Sequence, residues 1–158
     1  MRRKRLGSAA AIAAGTLAAT GLAFAPSAAA VTPLTATINA TCSIGGTGSA
    51  TITATQTGTA ATFTISSTTI KTPLAVSKDS ATSTLTLVKA GGGTRVFTGK
   101  KNPAIPANGG VTVGPLSGTV AAGDSLEAFG GNLKIVVFGI TITCTASGPQ
   151  SPGPFVFS

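Results

Sequence analysis

The chain contains no histidine, tryptophan or tyrosine, and each absence removes a class of chemistry. Histidine is the most common general base and transition-metal ligand, so neither a Ser-His-Asp nor a Cys-His catalytic site can be assembled. A Ser-Lys hydrolase usually shows Ser-x-x-Lys, and no lysine after residue 30 has a serine three positions before it. We therefore predict a protein that is not an enzyme and that needs no cofactor and no metal.

Carboxylates are scarce as well, because Asp79, Asp124 and Glu127 are the three acidic side chains of the chain. A glycosidase needs two carboxylates at a defined separation, and a calcium site needs several oxygen ligands. Asp124 and Glu127 are close in sequence, but Gly123-Asp124-Ser125 is typical of a turn, which is the interpretation we favour. A sugar-binding face normally stacks tryptophan or tyrosine on the sugar ring, so the composition disfavours it too.

Residues 1–30 are typical of a secretory signal peptide. Arg2-Arg3-Lys4-Arg5 forms a positive head, an apolar stretch follows, and Ala28-Ala29-Ala30 supplies the small side chains that signal peptidase requires. We predict cleavage between Ala30 and Val31, and hence a secreted, extracellular protein. An uncleaved membrane anchor is the alternative, but the apolar run is interrupted by glycine and threonine and is barely long enough to span a bilayer.

Without residues 1–30, the 158-residue chain leaves 128 residues, which suits one domain with a modest core. Residues 31–158 contain seven lysine and arginine residues and three acidic residues, so the net charge is +4. That charge density is too low to indicate a nucleic-acid partner. No transmembrane segment is expected in the mature protein.

Both cysteines lie in the part that remains after cleavage, and an even number in an exported protein indicates a disulfide. We predict one bridge between Cys42 and Cys144. An intermolecular pair or two free thiols is the alternative.

Period-two alternation of apolar and polar residues runs through the mature chain and predicts β-strands. From Leu34 to Ile44 every second residue is apolar, and Ile140, Ile142 and Cys144 repeat the pattern near the end. The segment from Leu133 to Thr145 contains Val136-Val137-Phe138, which is apolar on both faces, so we expect it to be one central strand covered on both sides. Short strands separated by glycine turns predict one antiparallel β-sandwich of roughly seven to nine strands over residues 31–146, immunoglobulin-like or a related Greek key. Residues 147–158 are rich in proline and glycine and are expected to form a tail that does not pack against the domain, apart from Phe155 and Phe157, which are able to dock back.

A basic cluster is the first candidate binding site. If residues 85–98 form a hairpin, Lys89 and Arg95 lie near its tip and Lys100 and Lys101 follow closely. Such a cluster fits an anionic cell-wall polymer or a phospholipid surface. A solvated face that keeps the protein soluble is the alternative. The second candidate is the loop of residues 100–110, which Pro103 and Pro106 stiffen and which is able to present itself to an extracellular protein partner.

The alanine-rich leader, the alternating threonine-rich strands and the two cysteine segments Ala40-Thr41-Cys42-Ser43 and Ile142-Thr143-Cys144-Thr145 resemble small secreted β-proteins of high-GC Gram-positive (actinobacterial) bacteria. The resemblance is one of style and assigns no functional residue. The leading hypothesis is a non-catalytic secreted protein that acts at the cell envelope as a surface-associated or structural component. The alternative is a soluble binding module or inhibitor that acts through residues 100–110.

Overall fold

The computed structural model describes residues 30–158, which fold into nine β-strands. The strands are β1 (Thr35–Cys42), β2 (Gly46–Thr57), β3 (Ala60–Lys71), β4 (Thr82–Lys89), β5 (Thr94–Gly99), β6 (Gly110–Thr119), β7 (Ser125–Val137), β8 (Ile140–Ala146) and β9 (Phe155–Val156). The predicted signal peptide lies outside the described residues except for Ala30, which is exposed, whereas Val31 is 2% exposed. Cleavage between them stays a prediction.

The first eight strands close into one antiparallel barrel, in the order β4-β5-β6-β3-β2-β1-β8-β7, and the pairing of β4 with β7 completes the ring. Strand β9 pairs with β7 as an extra strand. Our prediction of a β-sandwich is therefore wrong, although the all-β class is confirmed. Alternation separates a buried face from a wet face in both architectures, so the sequence pattern does not distinguish them.

Strand β7 contains an irregularity with two glycines where it pairs with β4 and closes the barrel. The register of β7 against β4 shifts between Thr86, which pairs with Asn132, and Val88, which pairs with Glu127, so the four residues 128–131 of β7 lie opposite Leu87. Gly130 has a φ of 87°, and a Cβ on Gly131 would collide with the carbonyl oxygen of Thr86. A bulge of this kind bends the strand and increases its twist, so β7 pairs with β4 along both of its halves.

The two ends of the barrel differ because the connections differ. Strands β1, β3, β5 and β7 end at one end, which we call the mouth end, and the even-numbered barrel strands begin there. The segment 72–81 crosses the mouth end from β3 to β4, past β6 and β5. At the opposite end, which we call the plugged end, residues 120–124 make the return crossing from β6 to β7.

Phenylalanine fills the plugged end. The ring centroid of Phe63 lies 4.6 Å from that of Phe97, 5.3 Å from that of Phe155 and 6.2 Å from that of Phe157, all at edge-on angles. None of the four side chains is more than 1% exposed. The docking of Phe155 and Phe157 is thus confirmed. Our prediction that the rest of this tail does not pack is wrong, because Phe155 pairs with Leu126 of β7 and Gln150 is also buried.

The segment from Leu133 to Thr145, which we expected to be one strand covered on both faces, is a hairpin. It turns at Phe138 and Gly139 between β7 and β8. Val136 is 41% exposed and Phe138 is 60% exposed, so the outer face of the hairpin is in contact with solvent. Our prediction of a buried central strand is wrong here, because an apolar outer face resembles a buried one in sequence.

The disulfide between Cys42 and Cys144 is confirmed. The two residues are direct partners in the ladder between β1 and β8, with their Cα atoms 3.9 Å apart. Nothing in residues 30–158 forms a helix long and apolar enough to cross a membrane.

Candidate ligand-binding cavity

An apolar cavity of about 130 Å³ occupies the mouth half of the barrel. Its wall comes from inward-facing residues of seven of the eight barrel strands, such as Ile38, Ile52, Val113 and Ile135. Small side chains leave the space open, since Ala40 and Ala50 face the barrel interior at this level. Of the phenylalanines in the part of the chain that the structure describes, Phe138 alone lines the cavity, and it lies at the opening.

Among residues 30–158, no buried polar side chain of the cavity wall lacks a hydrogen-bond partner. The hydroxyl of the buried Ser67 donates a hydrogen bond to the carbonyl oxygen of Ser49 at 2.6 Å and accepts one from the N–H of Ile70 at 2.9 Å. The remaining polar side chains of the lining are all at least partly exposed to solvent: Lys71, Thr72, Asn132 and Thr145. Apolar cavities of this kind remain dry or accept apolar guests.

The opening of the cavity is surrounded by exposed apolar side chains, which we call the rim. Each of them lines the cavity and also reaches solvent: Ile44 (37% exposed), Leu74 (61%), Phe138 (60%) and Ile140 (50%). They come from the β1–β2 turn, the crossing segment 72–81 and the β7–β8 hairpin. A rim of this composition extends the apolar surface of the cavity outward, and contiguous exposed apolar surface is typical of binding sites.

Phe138 occupies an unfavourable backbone position at the tip of its hairpin. Val137 and Ile140 are ladder partners, so Phe138 and Gly139 form a two-residue turn. Both have positive φ, 54° and 73°. Asparagine or aspartate usually precedes glycine in such turns, and a bulky residue with positive φ is an outlier that costs about 1–3 kcal/mol. Conformational strain of this type is concentrated at functional sites, which is consistent with a role for the exposed ring.

Cys42 and Cys144 form part of the cavity wall, 8% and 7% exposed. Their bridge joins β1 to β8 beside the rim hairpin, where the ladder between these two strands comprises three residue pairs. The disulfide therefore fixes the wall of the cavity at a seam with few backbone hydrogen bonds.

The predicted basic cluster is divided between the two ends of the barrel. Lys89 and Arg95 lie at the plugged end, and both bind Asp124, with N–O distances of 3.1 Å and 2.7 Å. Lys100 and Lys101 follow the other end of β5, about 17 Å and about 20 Å along the chain from Arg95 at roughly 3.3 Å per extended residue. The role that we predicted for these four residues in binding an anionic polymer stays a prediction.

Asp124 is a buried carboxylate that forms ion pairs with Lys89 and Arg95. Its side chain is 6% exposed. Burial opposes ionisation, but hydrogen bonds from Arg95, from the N–H of Ala121 and from Lys89 outweigh it and lower the pKa of the carboxyl from 3.8 to about 2. The charged carboxylate thereby ties the β4–β5 hairpin to the crossing segment 120–124. Among residues 30–158, no three His, Cys, Asp or Glu side chains lie close enough to bind a metal.

The loop of residues 100–110 is fixed against the barrel. The side chain of Asn102, 3% exposed, accepts hydrogen bonds from the N–H groups of Ser80 and Ala81 and donates to the carbonyl of Ser77. Ile105 pairs with Val76 through two backbone hydrogen bonds of 2.8 Å. The loop thus braces the crossing segment 72–81 and supplies Ile105 to the cavity wall.

The cavity and its rim were not anticipated from the sequence. Two signals were present. Alanine recurs at inward positions of β1 and β2, where a filled barrel would need larger side chains, and an aromatic residue precedes glycine at a tight turn. A comparison with protein-family models, curated proteins and solved structures finds no match for this chain.

Proposed function

We propose that this protein is a non-catalytic, secreted binding protein that holds a small apolar ligand inside its barrel and acts at the cell envelope. The observation that carries the proposal is the cavity: about 130 Å³ of apolar space that opens through an apolar rim. Concave apolar sites in barrel mouths are typical of small-molecule binding. The missing histidine supports a non-catalytic role, and the disulfide supports an oxidising compartment.

The size of the cavity limits the part of the ligand that it encloses. An engineered protein cavity of about 150 Å³ lined by leucine, isoleucine and phenylalanine binds benzene. A group of about six carbon atoms therefore fits here, and a longer ligand extends through the opening onto the rim. Burial of six carbons at about 0.8 kcal/mol each gives about 5 kcal/mol, which corresponds to a Kd of roughly 0.3 mM.

Titration of the purified protein with benzene, followed by methyl NMR and by thermal unfolding, tests the proposal. We expect saturable shifts of methyl signals from cavity residues such as Ile38, Ile52 and Val113, together with a rise in Tm that depends on benzene concentration. Methyl groups at the plugged end, such as those of Leu126, serve as the internal control. Shifts that grow linearly with benzene everywhere, without saturation, would refute an apolar binding site.

A further inference from the structure

Charge is distributed unevenly between the two ends of the barrel. The mouth end carries one carboxylate, Asp79, and four lysines, Lys71, Lys78, Lys100 and Lys101. The plugged end has Lys89 and Arg95 balanced by Asp124 and Glu127. The side chains of the mouth end therefore sum to +3 and those of the plugged end to zero, with Lys134 on the wall between them.

The lysines lie on the segments that frame the opening. Lys71 ends β3 and lines the cavity, and Lys78 lies on the crossing segment 72–81. Lys100 and Lys101 begin the loop that braces that segment, and all four side chains are exposed. Within residues 30–158, Lys101 is the one of these four lysines that forms an ion pair, with Asp79 at an N–O distance of 3.7 Å. The lysines thus lie on the β3, β4, β5 and β6 side of the mouth end, which also carries Leu74, and the other rim residues lie on the β1–β2 and β7–β8 connections.

We propose that the mouth end docks on an anionic lipid bilayer and that the ligand is an acyl chain which enters the cavity from that bilayer. Exposed apolar side chains flanked by lysines are the arrangement by which peripheral proteins bind such surfaces, because the apolar groups enter the interface and the cations meet anionic headgroups. The cavity takes the end of the chain, and the rim covers the carbons nearer the headgroup. The ligand part of this inference rests on the proposed function.

Two other occupants of the rim fit the charges less well. A second copy of this chain, docked rim to rim, brings +3 against +3, and such juxtaposition of like charges is unfavourable. An anionic wall polymer meets the lysines but leaves Phe138 and Leu74 exposed to water. A bilayer satisfies both the cations and the apolar side chains, so it is the occupant that the geometry favours.

Sedimentation with vesicles tests the docking. The purified protein is incubated with vesicles of phosphatidylcholine alone, or of phosphatidylcholine mixed with phosphatidylglycerol, across a salt series. We expect pelleting with the anionic vesicles that decreases as salt rises. The double variant Lys78→Gln/Lys100→Gln should weaken binding roughly 25-fold, at about fivefold for each lysine near the surface. Lys134→Gln, on the barrel wall, is the matched charge control.

The apolar contribution is tested at the hairpin tip. Phe138→Asn removes the ring and is compatible with the positive φ of this position, so a folding defect is not expected. We expect at least a tenfold loss of vesicle binding, whereas Val156→Thr, which alters an exposed apolar residue at the plugged end, should leave binding unchanged. Binding that survives Phe138→Asn but is lost in the lysine variant would overturn the inference in favour of a purely ionic partner such as a wall polymer.

Two further outcomes would overturn the docking. One is a wild-type protein that stays in the supernatant with anionic vesicles at low salt. The other is a concentration-dependent dimer, seen by analytical ultracentrifugation, that Phe138→Asn abolishes, since the rim would then bind a second copy. Benzene binding measured without vesicles separates the two proposals. A protein that binds benzene but no vesicles keeps its ligand site and loses the docking, and one that binds vesicles but not benzene loses the ligand site.

Discussion

Two alanines of β2 allow a direct test of the cavity. Ala50 and Ala54 are four residues apart on one strand, both face the barrel interior, and they are 4% and 1% exposed. Ala50 lines the cavity, whereas Ala54 lies in the plugged half, where its ladder partner is Phe63. The same substitution, Ala→Leu, should therefore have opposite effects at these two positions.

The magnitude follows from the three carbon atoms that the substitution adds. At Ala50 they fill empty space, and burial at about 0.8 kcal/mol per carbon, less about 0.5–1 kcal/mol of side-chain entropy, gives a net stabilisation of about 1.5 kcal/mol. That corresponds to a rise in Tm of roughly 6 °C for a domain of this size. At Ala54 the added atoms overpack a filled core, which costs about 1–3 kcal/mol.

Thermal and urea unfolding of Ala50→Leu, Ala54→Leu and the wild type provide the measurement, and benzene titration accompanies each variant. We expect Ala50→Leu to be more stable than the wild type and to have lost benzene binding, and Ala54→Leu to be less stable and to bind benzene as the wild type does. Equal destabilisation by the two substitutions would show that the mouth half is as well packed as the plugged half and that the barrel encloses no open cavity.

Four further predictions follow from the described contacts. Asp124→Asn should lower the free energy of unfolding by about 2 kcal/mol at pH 7, because the folded-state pKa of about 2 lies below the ordinary 3.8. In the wild type this stabilisation is present above pH 5 and is lost as the pH falls toward 2, so measuring the free energy of unfolding across this pH range provides the test. Phe157→Ala should cost about 3–5 kcal/mol in urea unfolding, because its side chain is 1% exposed within the aromatic plug. Replacement of Cys42 and Cys144 by serine should lower stability by about 4 kcal/mol for a bridge that closes 102 residues, and alkylation of either thiol in the untreated native protein would contradict the bridge. Phe138→Asn should raise Tm by relieving a φ of 54°, and a lower Tm would show that the ring contributes more to stability than the strain costs.

The strands were predictable because the alternation of burial is local. In β1 each inward residue, from Ala36 to Cys42, is apolar, and each outward one is polar or exposed. The β4–β5 hairpin and the disulfide followed from the same pattern, since Cys42 and Cys144 both take inward positions. These features depend on near neighbours and on the single pairing that two cysteines allow.

The closure of the barrel could not be predicted in this way. Closure depends on which distant strand pairs with the free edge of β4. The irregularity around Gly130 and Gly131, where β7 pairs with that edge, appears in sequence as an ordinary glycine turn. The cavity depends in turn on the closure, because a group of alanines encloses space only once the ring is complete. Phe138 was misjudged for a related reason: an apolar residue at an exposed hairpin tip has no local feature that separates it from a core residue.

A crystal structure determined under xenon pressure tests the ligand cavity most directly, because xenon occupies apolar protein cavities of this size and makes no demand on polar groups. We expect a xenon atom inside the mouth half of the barrel, in contact with Ile38, Ile52 and Val113, and no xenon atom there in crystals of Ala50→Leu. A wild-type barrel that takes up no xenon, with side chains from opposite walls in contact across the mouth half, would contradict the proposal that this protein encloses an apolar ligand.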